Sequence, residues 1–241
     1  MSRPDSARLA LGATIVLTFV TGVVDAVGYL GLDRVFTGNM TGNIVILGMG
    51  VAGADGLPVL GPAIALAAFT FGAFAAGMFL RSRPSASGWH DRITILLIAG
   101  AMVLAGLTVT AALVAGSPSP TVQVGMAAAT AAVMGQQALV ARALAVKDMT
   151  TVVVTSTLAS LAGETWVAGG RGTVLNRRAG AIVTIFLGAV VGALLLRVHL
   201  AVPFALATAA TVLVVAFGHL RLRPAASEAA PGSEFADAAG R

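Results

Sequence analysis

Cysteine is absent from the 241 residues, and lysine occurs once, at Lys147. Without cysteine there is no disulfide, thiolate metal site, iron–sulfur cluster or cysteine nucleophile. With one lysine and no glycine-rich loop ending in GK, nothing resembles a P-loop, and neither HExxH nor GxSxG occurs. The three histidines, His90, His199 and His219, sit apart near the ends of apolar runs, which argues against a histidine metal site. Charge is scarce as well: only 10% of residues are Asp, Glu, Lys or Arg, where a soluble domain carries roughly 25%. These gaps leave no sign of an enzyme and no cofactor expectation.

What the chain has instead is apolar length. Hydrophobic residues make up 57% and the mean hydropathy is +0.93. A bilayer core about 30 Å thick takes about 20 apolar residues in a helix. Six stretches meet that standard: 9–30, 61–80, 93–115, 121–145, 179–198 and 200–220. The abundance of Ala, Gly and Val suits close helix packing through small residues, with Gly188-xxx-Gly192 and Ala68, Gly72 and Ala76 as seams. The net charge of +5 does not indicate nucleic acid, because the basic residues lie at helix ends rather than in one stripe.

Two shorter apolar stretches have polar heads: 36–51, opening with FTGNMTGN, and 149–162, reading MTTVVVTSTLASLA. Arg and Lys are retained on the cytoplasmic side of a membrane, so counting them tests whether these stretches cross. If both cross, eight basic residues fall inside and seven outside, which is no bias. If both dip in and return, thirteen fall inside and two, Arg34 and Arg197, outside. The second arrangement is preferred. It describes an all-α integral membrane protein with six transmembrane helices, two short re-entrant or broken helices and both termini cytoplasmic. Residues 1–8 form a cytoplasmic lead, 9–220 a single transmembrane domain and 221–241 a disordered cytoplasmic tail. Arg3 and Arg8 before an apolar run, with Ala26-Val27-Gly28 behind it, resemble a secretory signal. The length of the run and Asp25 beside the supposed cleavage site favour a retained helix.

The short stretches align at a spacing of 114 residues. Thr37 then meets Thr151, Thr41 meets Thr155 and Leu47 meets Leu161. Each half, about 9–115 and 121–220, reads as helix, short segment, helix, helix. Three spans per half would invert the second copy, a recurring transporter design with the solute site near the midplane.

Candidate solute-binding residues follow from that frame. Thr37 to Asn43 hold two Gly and two Asn beside an apolar run, which marks a helix break. Thr41 or Asn43 is expected to cap the helix through 44–49, aiming free N–H groups and a positive dipole end at a cavity. Asn39, Thr41 and Asn43 are therefore candidates, with close packing through Gly38-xxx-Gly42 as the alternative. Asp25 is the one carboxylate deep in an apolar span, a functional candidate for proton or cation coupling by default. Its alternative is a pairing with Arg34. Gln136, beside Gln137 in the fourth span, either bonds solute or locks helices together. Thr151 and Thr155 give the second segment its polar head.

The pairing of FTGNMTGNIVILG with TTVVVTSTLASLAG in a six-span chain resembles the YoaK family of bacterial membrane proteins, over about residues 10–220. Ser156 stands where that resemblance leads us to expect Gly, which implies a milder second break. The resemblance implies the fold and a membrane location, and is silent on substrate. The expected partners are the lipid bilayer of the bacterial cytoplasmic membrane and an unidentified small solute or ion, with the oligomeric state open. A secondary transporter or permease is the favoured reading, ahead of a non-catalytic scaffold or a membrane-embedded enzyme.

Overall fold

A computed structural model describes residues 3–81, 89–114, 118–144 and 173–221, and among these the chain forms seven helices and no strand. They are α1 (Arg3–Gly31), α2 (Met40–Val51), α3 (Leu60–Arg81), α4 (Asp91–Leu113), α5 (Pro120–Ala143), α6 (Thr173–Leu196) and α7 (Ala201–Arg221). All but α2 contain an apolar stretch long enough to cross a membrane; the 22 residues of α3 span about 33 Å. Local signals set the ends. The His90 side chain accepts the Ile93 N–H at 3.3 Å to start α4, and Pro120, which has no N–H to lose, opens α5.

The spans alternate in direction, with both ends of the described chain at one end of the bundle. Arg81, Arg92, Arg142 and Arg221 terminate helices at that lower end. There Arg92 donates to the Phe79 carbonyl and lies over its ring, tying α4 to α3. Arg34 and Arg197 lie together at the upper end, beside Gln123 of α5. α6 runs parallel to α1, since Gly188 packs on Phe19 and Gly22 while Gly192 packs on Val23. α5 runs antiparallel to α1, with Gln137 against Leu17. So α5 ends and α6 begins at the lower end, as a six-span count requires. The segment 149–162, with Thr151 and Thr155, lies outside the described residues, as does the tail.

The most extensive packing is α3 on α5, α1 on α6 and α4 on α7, followed by α1 on α7 and α4 on α5. Glycines make the first two pairings close. A Cβ at Gly22 would overlap the Ile185 carbonyl and one at Gly188 the Phe19 carbonyl; Gly72 meets Ala132 and Gly135 meets Phe69 in the same way. Backbone approach of this kind gains dispersion and Cα–H···O contact where lipid offers no hydrophobic drive. Val20, Val24, Leu104, Met134 and Phe204 fill the centre. The large apolar side chains Phe71, Phe74, Phe186 and Leu213 face outward, an exterior suited to hydrocarbon and costly in water.

Between α1 and α3 the chain turns back on itself. The Val35 N–H donates to the Gly28 carbonyl at 3.2 Å, and a side chain at Gly28 would strike the Val35 carbonyl. Asp33 and Arg34 make the turn in left-handed conformation, at φ 55° and 54°, uncommon for residues other than Gly and stabilised here by contacts. The Arg34 guanidinium donates to the Gly56 carbonyl at 3.0 Å, and Gly61 sits against Asp33 and Val35. Both ends of the segment therefore meet at the upper end, while its middle reaches down α1 to Asp25 and Thr21. The helix α2 then climbs about 18 Å back. The segment is re-entrant with respect to the bundle, as charge counting implied. Single cysteines placed by Asp55→Cys and Val198→Cys are expected to react with an impermeant maleimide from one side of a membrane, and Asp91→Cys from the other. Labelling of Asp55→Cys and Asp91→Cys from one side would refute this topology.

Candidate functional site

The descending chain is held to α1 by one carboxylate. Asp25 Oδ1 accepts the Gly38 N–H at 2.6 Å, the Thr37 N–H at 2.8 Å and the Thr37 hydroxyl at 3.3 Å. The Asn39 N–H also faces the carboxylate. Successive amides at a helix start form a natural cradle for an anionic group. Asp25 is 9% exposed. It does not pair with Arg34, which is engaged at the upper end with Gly56.

The break itself is built from two asparagines. Asn39 is the N-cap of α2, its Oδ1 accepting the Gly42 N–H at 3.2 Å. The helix thus begins at Met40, one turn before the expected Ile44, and the cap is neither Thr41 nor Asn43. Asn39 wins because it is the residue that precedes the helical turn with a side-chain acceptor in reach of the third N–H. Asn43 does different work. It is fully buried, and it clasps Phe36 by both backbone groups: Oδ1 accepts the Phe36 N–H at 2.8 Å and Nδ2 donates to the Phe36 carbonyl at 2.6 Å. Those groups have no ladder partner in the descending chain, so the amide satisfies what secondary structure elsewhere would. Gly42 leaves room for the Phe36 ring, which a Cβ there would strike.

A cleft of about 700 Å³ opens beside this break, lined by Thr21, Asp25, Tyr29, Asn39, Thr41 and Phe69 among others. Thr41 and Asn39 are exposed to it, whereas Asn43 is not among its walls. Tyr29 stacks on Phe36 with ring centroids 5.0 Å apart. Tyr29 also lines a shallow depression at the upper end, together with Asp33, Arg34 and Arg197. There burial raises the Asp33 carboxyl above its ordinary value, and neighbouring Arg34 draws it partly back. Of the sequence candidates, Asp25, Asn39 and Thr41 therefore come together. Gln136 stands apart and donates to the Leu96 carbonyl of α4, while its neighbour Gln137 donates to the Leu17 carbonyl of α1 at 3.0 Å. Both act as clamps between spans.

One set of residues escaped the reading of the sequence. Thr14, Thr18 and Thr21 are buried and share the face of α1 that carries Asp25. Their spacing of four, three and four residues is the helical repeat, a signal present in the sequence. Each hydroxyl donates to a carbonyl one turn back, at Ala10, Thr14 and Leu17. Among the described residues no cluster of three or more His, Cys, Asp or Glu could hold a metal ion.

Residues 13–218 match the model of a family described as "Protein of unknown function (DUF1275)". The chain is 31% identical over 186 residues to the UPF0700 transmembrane protein YoaK of Bacillus subtilis (strain 168), covering 74% of this chain and 80% of that protein. No solved structure matches it significantly.

Proposed function

We propose, for a chain that belongs to the DUF1275 family of membrane proteins together with YoaK, a role as a secondary transporter or permease for a small solute or ion. The observation that carries this reading is the cleft in which a helix start and a buried carboxylate meet part-way along a span. Broken helices at depth are tolerated only where protein buries them or a cavity receives them, and transporters use such breaks to bind solute. In this reading Asp25, Asn39 and Thr41 contact the solute, and Asn43 holds the break in shape.

The pairing of helices supports an inverted repeat of α1–α4 and α5–α7. Exchanging α1 with α5, α3 with α6 and α4 with α7 turns the α3·α5 pairing into α1·α6, and α1·α7 into α4·α5, so the set of span pairings maps onto itself. Matched helices run in opposite directions. The glycine crossings match too: Gly22 and Gly188 correspond to Gly135 and Gly72 within two residues of the 114-residue shift. The arginines at the lower end support a cytoplasmic placement of both termini in a bacterial inner membrane. We take the protein not to be an enzyme: among the described cleft residues Asp25 is the one acid, with no second acid or histidine beside it.

Reconstitution into liposomes, with uptake from a metabolite and ion mixture read by mass spectrometry, tests the proposal. Asp25→Asn is expected to lower the discovered flux about tenfold or more, as for a charge removed from a binding site at depth, and Thr41→Ala to weaken apparent affinity. A flux indifferent to both substitutions refutes the site. The internal hydrogen bonds of Asp25 favour one rival, a non-catalytic scaffold. That reading expects Asp25→Asn to lower thermal stability and a partner to co-purify in mild detergent, with no flux at all.

A further inference from the structure

Thr14, Thr18, Thr21 and Asp25 form a polar line along a helix whose other inward positions are apolar, among them Leu17, Val20 and Val24. Beside this line lies a second, smaller space. It is a void of about 10 Å³ between α1 and α5, walled by Thr14, Thr18, Thr21, Gly38, Gln137 and Ala141, which is about the room one water needs. Thr21, Gly38 and Phe69 border both this void and the cleft, and Asp25 lines the cleft beside them. Thr14 and Ala141 carry the line towards the lower end, where α1 begins and α5 finishes.

Each threonine has already donated its proton to its own helix, so its oxygen lone pairs remain to accept from a water. Gln137 is locked by its bond to Leu17, which keeps the facing wall polar. The hydrogen bonds of Thr37 and Gly38 fall on Oδ1 of Asp25, and the Asn39 N–H also faces the carboxylate. Beside Asp25, Tyr29 is the one titratable side chain that lines the cleft among the described residues. The other elements present Phe69 from α3 and Ile185 from α6 to the cleft, and Met134 and Gln137 from α5 to the void, none of which ionises.

We propose that this threonine line is a proton path from the lower end to Asp25, separate from the cleft by which solute arrives. The one water that fits the void takes up a proton arriving from the lower end and gives it on to the Asp25 carboxylate, returning to neutral water. The carboxylate becomes a carboxylic acid and no net bond is left unbalanced. The inference deepens the transport reading by naming the proton as the coupling ion.

The test uses full-length protein in sealed vesicles, sorted so that the termini face outward, with the Asp25 carboxyl band identified by infrared difference spectroscopy through its loss in Asp25→Asn. After an external pH drop the band is expected to appear promptly. Thr18→Val, which keeps the shape and removes the oxygen, and Ala138→Val, which narrows the void from α5, are each expected to slow its appearance about tenfold. Thr18→Ser is expected to restore the rate. In vesicles of the opposite orientation Thr18→Val should change nothing. A band that never responds from the terminal side, or responds equally fast in both blocking variants, overturns the path. Those outcomes leave the solute site standing, since that site falls only if flux is indifferent to Asp25→Asn and Thr41→Ala.

Discussion

Gly22→Ala and Gly135→Ala are expected to destabilise the protein by about 1–3 kcal/mol each, the usual penalty of forcing an extra methyl group into a packed interior. The methyl group has nowhere to go. At Gly22 it meets the Ile185 carbonyl, and at Gly135 the Phe69 carbonyl; both are backbone atoms that cannot rotate aside. Relief requires the helices to separate, which breaks the α1·α6 or α3·α5 contact along its whole length. The controls lie in α3, α4 and α5. Gly77, Gly106 and Gly125 have nothing within 4 Å of an added Cβ, so alanine there is expected to be neutral, or to gain up to about 1 kcal/mol from better helix propensity. The fraction of monodisperse protein left after heating in detergent reads both sets. Equal midpoints for all five variants would show that the crossings do not hold the bundle.

Asn43→Leu is expected to be as damaging. Leucine matches the volume but abandons two backbone groups, the N–H and C=O of Phe36, each costing about 1–3 kcal/mol when buried without a partner. A loss of about 2–6 kcal/mol is enough to release the descending chain from α2, and with it the amides that cradle Asp25. Asn43→Asp separates the two bonds: it retains an acceptor for the Phe36 N–H and presents an oxygen where the Phe36 carbonyl needs a donor. It is expected to fall at least as far as leucine. Proteolysis at the 52–59 turn is a sensitive probe, because that turn is tied to Arg34 only through the Gly56 carbonyl. Resistance equal to the parent protein in Asn43→Leu would remove the clasp from the account.

The spans were legible because the hydrophobic signal is long and uninterrupted; the six predicted stretches and the six helices agree at most ends to within one or two residues. The return of the first short segment was legible from charge alone, since Arg81, Arg92 and Arg142 had to share a side with Arg3 and Arg8. Finer assignments failed where several small polar residues compete. Thr41, Asn39 and Asn43 all suit a helix start, and only the turn at Asp33 and Arg34 decides that Asn39 arrives first. Asp25 was recognised as out of place in lipid, but its partners are main-chain amides of Thr37 and Gly38, which any residue type could have supplied. Gly188 and Gly72 announced their seams through spacing with Gly192 and Ala76. Their counterparts Gly22 and Gly135 did not, since each works as a single close approach. The threonines of α1 were readable by period, but in a long apolar run their hydroxyls satisfy themselves on their own helix and stand out far less than a lone carboxylate.

The re-entrant segment also constrains how the protein is made. Twelve helical residues reach about 18 Å, too short for a hydrocarbon layer of about 30 Å, so α2 cannot halt a translocating chain on its own account. During synthesis α1 enters the membrane first, and α2 must wait on the far side until α3 emerges and anchors behind it. The cleft beside it is incomplete until α6 brings Ile185 to the wall, more than a hundred residues later. The ties of the segment itself, from Asp25, Asn43 and Arg34, are all made between α1 and α3. A ribosome-stalled fragment ending before α6 should therefore already shield 52–59 from protease, with the cleft still open on the side of α6.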